Sequence, residues 1–506
     1  MALSNVGLQA LGFFYRIALS RFAGAQGLGV YRLVFSAYAV VNAASLAGVT
    51  MACSRLGAAK LAQGRPEQIR PLARFAVGIF VMIFTLCASV VLPAHTFIAT
   101  RLLGDARTAA ALPIMLICLF LTGFENIIKS LFVGTGRVQY AAVSETGEQI
   151  VRIVAVITLL ALFGKGDYGR IAALIMLGMA VSECFSSSFL GILYRKHFGK
   201  LARTRADPGL LRHVLDIAAP LSIAAVFINL ISSAGSVILP QRLVASGMGE
   251  AEALSALGVI SGMASPLILL PIALISAVGT VLVPSITAAQ ARGDMPRVRA
   301  LTDKAMTVTG LIAIPATAAL VPLSPSLARV CFGQTIPLPY MALLGAAAVF
   351  GYYQMMTASL LGGIGAQRRA AIAAVCGEVL QLGLTWVLAA RSELQIYGYI
   401  LSMLISPLPV VLANLWGLRR KTGYRLRLGH TLVVPLLCGA TVWLWVRVFY
   451  TALLGIAGSQ WLAVLLAACS AALLDWALLQ LLGVDVRSYI ARRVTRSSRT
   501  GIFTFL

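Results

Sequence analysis

Residues 110–136 read AALPIMLICLFLTGFENIIKSLFVGTG. The first fifteen of them, Ala110 to Phe124, carry no charge. A helix needs about 20 mostly apolar residues to cross a hydrocarbon core of about 30 Å. In lipid, a single segment can satisfy every backbone N–H and C=O only as a helix. The run therefore reads as a membrane-spanning helix, and it brings two charges with it. Glu125 and Lys129 stand one helical turn apart, where each can neutralise the other. The run closes on Gly134-Thr135-Gly136, too short for a phosphate-binding loop and readable as a turn.

The same window finds fourteen such runs along the chain. They lie near 3–22, 30–59, 72–94, 110–133, 141–163, 170–193, 213–238, 255–289, 302–322, 338–362, 370–390, 396–417, 430–450 and 460–482. The second and eighth exceed a plain span and are expected to tilt or project. Composition agrees: 59% of the 506 residues are apolar and 11% charged, where an ordinary soluble chain carries about 25% charged residues. Mean hydropathy is +0.90. A soluble core could not cover that much apolar surface. A soluble enzyme, a disordered chain and a disulfide-stapled secreted domain are thereby excluded. The net charge of +24 does not point to nucleic acid, because the basic residues fall between apolar runs and not on an aromatic-interleaved surface. The expected fold class is an all-α integral membrane protein of about fourteen transmembrane helices.

Orientation follows from Lys and Arg. With the N-terminus inside, about 27 basic residues fall in inner loops and about 7 in outer ones. Both termini are then expected in the cytoplasm. The first span lacks a basic lead-in and carries Arg16 and Arg21, so it does not read as a removable signal peptide. The longest inner loops, near 195–212 and 418–429, suggest a six-helix lobe at 1–200 and a second at 208–420. Two extra helices at 428–486 and a basic cytoplasmic tail at 487–506 follow. A short internal repeat supports the division. Gly134-Thr135-Gly136, Ala141-Ala142 and Glu148 recur in the same order as Gly363-Ile364-Gly365, Ala370-Ala371 and Glu378, at a nearly constant offset. Repeats of like orientation imply an axis along the membrane normal. One chain then supplies both halves of a pathway, so a monomer is expected.

Ionisable groups at membrane depth cost roughly 2.5–3.5 kcal/mol each, so each needs a partner, a cavity or the interface. Arg16 and Arg21 lie in the first span, Arg32 opens the second, Arg55 lies near its inner end and Arg242 follows the seventh. None has a carboxylate three or four residues on. They either snorkel to headgroups or line a cationic cavity for an anion, for which the planar guanidinium fork suits phosphate. Glu148 and Arg152 repeat the one-turn spacing of Glu125 and Lys129. The two pairs are structural, or they form a proton- or ion-coupled switch. Glu378 and Asp475 have no local partner. The eight cysteines form no CxxC and the four histidines are scattered, so no metal site is expected. No nucleophile elbow or P-loop occurs either. The reading is a transporter with no catalytic residues and no cofactor beyond an unidentified coupling ion.

Several segments carry a family resemblance. They are Gly12-Phe-Phe-Tyr-Arg16-Ile-Ala-Leu-Ser-Arg21 with Gly27-Leu-Gly29-Val-Tyr31, then Ser144 to Arg152, then Leu239-Pro240-Gln241-Arg242, Gly258 to Pro266, and Val283-Pro284-Ser285. In order and spacing these resemble the stage V sporulation protein B type of lipid flippase, within the multidrug/oligosaccharidyl-lipid/polysaccharide exporter superfamily. The resemblance implies two six-helix lobes around a cavity that opens alternately to the two membrane faces. It implies an undecaprenyl-pyrophosphate-linked saccharide, such as lipid II or a related cell-wall or polysaccharide precursor, as substrate. By motif position it assigns Arg21 and Arg55 to the substrate, with Arg16 one residue out of step and Arg242 following the sporulation-type pattern. It also implies a first outer loop at Gly27–Tyr31 and a groove for the lipid tail beside the last two spans. The competing expectations are a cation-coupled multidrug exporter of the same superfamily and a membrane enzyme acting on lipid-linked sugars. The expected partners are the lipid-linked substrate and membrane lipids, in the cytoplasmic membrane of a bacterium.

Overall fold

The computed structural model describes residues 2–164, 166–199, 204–456 and 459–482. No strand occurs among them. Arg203 and the basic tail at 487–506 lie outside the described residues. Fourteen helical runs are long and apolar enough to cross a membrane. In chain order they are α1 (Gly7–Ala62), α2 (Pro66–Val91), α3 (Ala111–Gly134), α4 (Val138–Phe163), α5 (Tyr168–Phe198), α6 (Leu210–Ala245) and α7 (Glu250–Ile268). They continue as α8 (Ile272–Ala291), α9 (Met295–Phe332), α10 (Leu338–Gly363), α11 (Gln367–Leu388), α12 (Ile396–Thr422), α13 (Gly429–Gly455) and α14 (Gln460–Leu481).

The count matches the hydropathy windows, and the kink at Gly24 lies between the first two of them, while the eighth is divided. The windows 3–22 and 30–59 fall in the one run α1, and the expected outer loop at Gly27–Tyr31 is helical. The helix is interrupted at Gly24 alone, with φ 65° and ψ 175°. A straight helix of 56 residues would be roughly 84 Å long, far beyond the bilayer. Gly24 instead folds the run back, so that Tyr15 and Leu19 of one arm face the same pocket as Leu28 and Tyr31 of the other. Glycine reaches that left-handed φ at no steric cost. Conversely, the window 255–289 is divided at Leu269–Pro271, where the chain turns before α8 begins at Ile272. Proline there withholds a backbone N–H. The windows already part between residues 22 and 30, where Gly24 lies, and hydropathy is blind only to the break at Leu269–Pro271.

Within a bilayer both faces of a helix are apolar, so packing selects by size. On α2, Leu72, Ala76 and Phe80 are buried while Met82, Leu86 and Val90 face outward. Phe80 lies on Gly123 of α3, where any side chain would meet its ring. Phe84, Phe120 and Phe124 complete the cluster, with ring centroids 5.3 Å apart for Phe84–Phe120 and 4.9 Å for Phe120–Phe124.

The backbone extends the internal repeat well beyond its sequence signature. Gly64 and Gly293 (φ 70° and 72°), Gly104 and Gly333 (76° and 70°), and Gly136 and Gly365 (77° and 71°) each end a helix or turn in the left-handed region. Every pair keeps the interval that separates Gly134 from Gly363. The starts of α4 and α11, Val138 and Gln367, keep the same offset, as do the ends of α1 and α8, Ala62 and Ala291.

Packing gathers the chain into two compact units, Met1–Pro266 with Ala374–Ser406, and Leu267–Ala373 with Pro407–Leu506. Packing and repeat are different groupings of the same helices. Inside the first unit, α1 and α7 cross with a reciprocal contact. A Cβ on Gly29 would strike the Leu254 carbonyl, and one on Gly258 would strike the Ala25 carbonyl. Gly29 and Gly258 stand at the repeat interval, and so do Ala25 and Leu254. In the second unit the Tyr352 hydroxyl donates to the Ile268 carbonyl at 2.9 Å.

Candidate functional site

Two polar clusters sit in the first unit. The first is made by the fold at Gly24. Arg16 and Arg32 each stand eight residues from that glycine, one on each arm. At about 1.5 Å per residue both lie about 12 Å from the fold, at one depth. They line a cavity of about 160 Å³ together with Tyr15, Tyr31, Phe35 and Ser261. No carboxylate among the described residues lines it. Arg32 Nε and the Tyr15 hydroxyl are buried there without a hydrogen-bond partner among the described residues. Such orphaned groups each forfeit a hydrogen bond they had in water, so the pocket suits a ligand rich in acceptor oxygens. Phe35 stacks on Tyr38 at 5.4 Å and fixes the second arm's aromatic face.

The remaining expected arginines are placed elsewhere. Arg21 is five residues past Arg16, roughly 140° round the helix, and is exposed. Arg55 is exposed on the second arm, roughly 34 Å along from Arg32. Arg242, in the last turn of α6, stacks on Trp386 with its guanidinium carbon 3.6 Å from the ring centroid. Its Nε is buried and has no hydrogen-bond partner. Arg16 is thus the one of the four that shares this pocket, and its companion is Arg32. The sequence already places Arg32 among the arginines at membrane depth, and its equal spacing from Gly24 pairs it with Arg16 once the chain folds there.

The second cluster joins α3, α4 and α5. Lys129 contacts Glu125 at 2.6 Å, Glu145 at 3.5 Å and Glu148 at 3.7 Å. Arg152 pairs with Glu148, and with Glu183 at 2.9 Å, while its Nε donates to the Ser182 hydroxyl at 3.2 Å. The two one-turn pairs are therefore one network. Its third carboxylate, Glu183, is 4% exposed and was absent from the sequence expectations. No partner lies one turn away from it in sequence, and only the packing of α5 on α4 brings it in. Oxygens of Glu125, Glu148 and Glu183 lie within 4.8 Å of one another, and Glu183 Oε2 is buried without a hydrogen-bond partner. Leaving aside the partly exposed Glu145, three buried carboxylates face two bases, so that set when ionised is one positive charge short. A proton or a monovalent cation would balance it. Glu378 makes no ion pair among the described residues.

With that geometry stand the comparisons with known proteins. The chain belongs to the polysaccharide biosynthesis protein family. That family's pattern matches residues 1–290. This family member is 22% identical over 415 residues to stage V sporulation protein B of Bacillus subtilis (strain 168), covering 80% of this chain and 79% of the relative. Its fold matches the lipid II flippase MurJ in an inward closed conformation, with a TM-score of 0.71 and 14% identity over 96% of this chain and 98% of that one. It also matches an inward-facing multidrug resistance transporter of the MATE family, with a TM-score of 0.70 and 17% identity over 83% of this chain and 98% of that one. This member of the family is a multi-pass membrane protein with the fold of the MOP transporter superfamily.

Proposed function

We propose that this protein moves a lipid-linked saccharide, carried on undecaprenyl pyrophosphate, across the cytoplasmic membrane of a bacterium by alternating access. A pyrophosphate-sugar headgroup cannot shed its hydration in hydrocarbon. It needs a polar cavity, while its lipid tail can remain in the bilayer. The observation that carries the reading is the Arg16–Arg32 pocket, with two orphaned donors and no competing carboxylate. A phosphoryl group entering it would gain charge-assisted hydrogen bonds, each worth roughly 1.5–3 kcal/mol. Arg21, Arg55 and Arg242 serve the same anion as further cationic stations along its path. The buried network of Glu125, Lys129, Glu148, Arg152 and Glu183 supplies the coupling, by taking up or releasing the one cation it lacks. The chain works as a monomer with both termini in the cytoplasm, in keeping with its excess of inner-loop Lys and Arg.

The test is translocation of a fluorescent lipid-linked saccharide in proteoliposomes. Arg16→Ala and Arg32→Ala are expected to lower the initial rate at least tenfold each. Arg32→Lys keeps the charge, loses the planar fork and should retain an intermediate rate. Full activity in both alanine variants would overturn the cationic-pocket mechanism.

A further inference from the structure

Gly136, with φ 77°, turns the chain from α3 into α4. Arg137 stands at the head of α4, and no side chain caps that helix's first N–H groups. The end of α5 packs beside this turn. His197 Nε2 and the Tyr140 hydroxyl share a hydrogen bond of 2.7 Å, and the Arg137 guanidinium carbon lies 5.6 Å from the Phe198 ring centroid. Phe132 of α3 joins the two contacts, its ring centroid 5.3 Å from Tyr140 and 5.3 Å from Phe198. This aromatic floor leaves two nitrogens unanswered. Arg137 Nη1 and His197 Nδ1 are buried without a hydrogen-bond partner among the described residues. With the Tyr140 hydroxyl donating to Nε2, Nδ1 carries the hydrogen and is a donor. The charged neighbours of His197 are Arg137 and Lys196, both basic. None of the three enters an ion pair among the described residues.

The geometry points to a phosphate-binding site at this end of the first unit, filled by the headgroup of an anionic phospholipid. Orphaned donors and a guanidinium beside an uncapped helix N-terminus suit a phosphate, and basic pockets between membrane helices take anionic headgroups. A lipid, and not free phosphate, follows from what adjoins the site. Tyr140, Val143 and Gly147 stand at i, i+3 and i+7, on one face of α4. Ala142, Val143, Thr146 and Gly147 line a groove of about 370 Å³ there. Its depth has a sequence cause: glycine at 147 leaves the groove open to Phe185 of α5, whose ring would lie 3.1 Å from a Cβ at that position. The groove begins about one turn beyond the head of α4, so a phosphate on Arg137 sets its acyl chain at the groove's mouth. A choline headgroup would press its own cation on Arg137 and Lys196, whereas a net-negative headgroup brings none. The second repeat has Ala366 and Leu426 at the positions of Arg137 and His197, each at the interval that separates Gly134 from Gly363. The helical framework therefore does not need these two bases.

The experiment is native mass spectrometry of the full chain in detergent, titrated with phosphatidylglycerol or with phosphatidylcholine. The first phosphatidylglycerol is expected to bind at least tenfold more tightly than the first phosphatidylcholine. Arg137→Ala and His197→Leu should each weaken it at least threefold. Arg369→Ala removes an exposed base near the corresponding turn of the second repeat and should leave the affinity unchanged. Val143→Trp fills the groove with the bases kept and should also cost at least threefold. Ammonium phosphate at the concentration of the lipid should not displace it. Equal affinity for the two lipids, equal losses in Arg137→Ala and Arg369→Ala, or undiminished binding by Val143→Trp would each overturn the assignment. Displacement by equimolar phosphate would make free phosphate the ligand and overturn the lipid. Because the readout is binding, the result stands whether or not the chain translocates lipid-linked sugar.

Discussion

The first repeat and the second share a backbone register and differ in what they bury. At the positions of Glu125, Lys129 and Glu183, the second repeat has Gln354, Ala358 and Leu412, each at the interval that separates Gly134 from Gly363. Where the first repeat holds a six-residue ionic network, the second has neutral hydrogen bonds. Asn414 donates to the Thr357 hydroxyl at 3.2 Å, and Thr385 and Ser402 share a bond of 2.8 Å. The second repeat shows that this helical framework stands without an ionic network at those positions. Buried ion pairs are in any case weak as stabilisers, because desolvation offsets most of their attraction. Retaining these ionisable residues in one repeat is therefore better explained by a task, the coupling proposed above, than by the needs of the fold.

The largest expected effect breaks that contrast at its centre. Arg152→Met strands Glu148 and Glu183 and should cost about 3–5 kcal/mol, the usual penalty for removing one partner of a buried pair. Asn414→Leu, its counterpart among the neutral bonds, should cost about 1–3 kcal/mol. Thermal unfolding in detergent compares the two, and equal losses would remove the distinction. Neutralising the network together, with Glu125→Gln, Lys129→Met, Glu148→Gln, Arg152→Met and Glu183→Leu, should restore most of the stability and none of the transport.

A smaller effect tests the crossing that the repeat makes reciprocal. Gly29→Ala and Gly258→Ala each press a methyl onto a backbone carbonyl across the α1–α7 contact. Each should destabilise by about 1–3 kcal/mol, as overpacking does. Once either has pushed the helices apart the other meets less resistance, so the double variant should lose less than the sum. Strict additivity in the same unfolding assay would mean that the two contacts are independent.

The smallest effect concerns the contacts of two basic loops. After α5 the loop offers an acid: Asp207 meets Lys60 at 2.6 Å and Arg65 at 3.2 Å. After α12 the loop offers a base: Arg427 lies 3.9 Å from Asp303 and is 72% exposed. The Lys60 hydrogen bond holds the Asp207 carboxyl below the usual carboxylate range. A lowered folded-state pKa stabilises above the ordinary value near about 3.9 and is lost as pH falls through the lowered one. Hydrogen exchange across 204–209 should therefore stay constant from neutral pH to about that ordinary value, after correction for intrinsic rates, and rise only in stronger acid. Asp207→Asn should raise it at neutral pH, whereas Asp303→Asn should leave 424–427 unchanged. Equal responses at both loops would erase the difference between them.

Much of the molecule was legible from the chain alone. Segment apolarity decided the all-α membrane fold and the number of runs, because crossing hydrocarbon is a condition on length and composition. The one-turn spacing of Glu125 with Lys129 and of Glu148 with Arg152 was legible for the same reason: neighbours on a helix face are set by its pitch. The short Gly134 and Gly363 motifs marked a repeat whose offset the backbone keeps from the end of α1 to the start of α11. Glu183, the pairing of Arg32 with Arg16 and that of Arg137 with His197 could not be read in this way. Each depends on which faces of separate helices meet, or on a single left-handed glycine that turns one long apolar run into two arms. Hydropathy and spacing are properties of a segment, so they specify what lies in the membrane and what lies one turn away. A site is a property of surfaces brought together from distant positions, and only packing, through small residues, kinks and backbone reversals, decides which side chains those surfaces share.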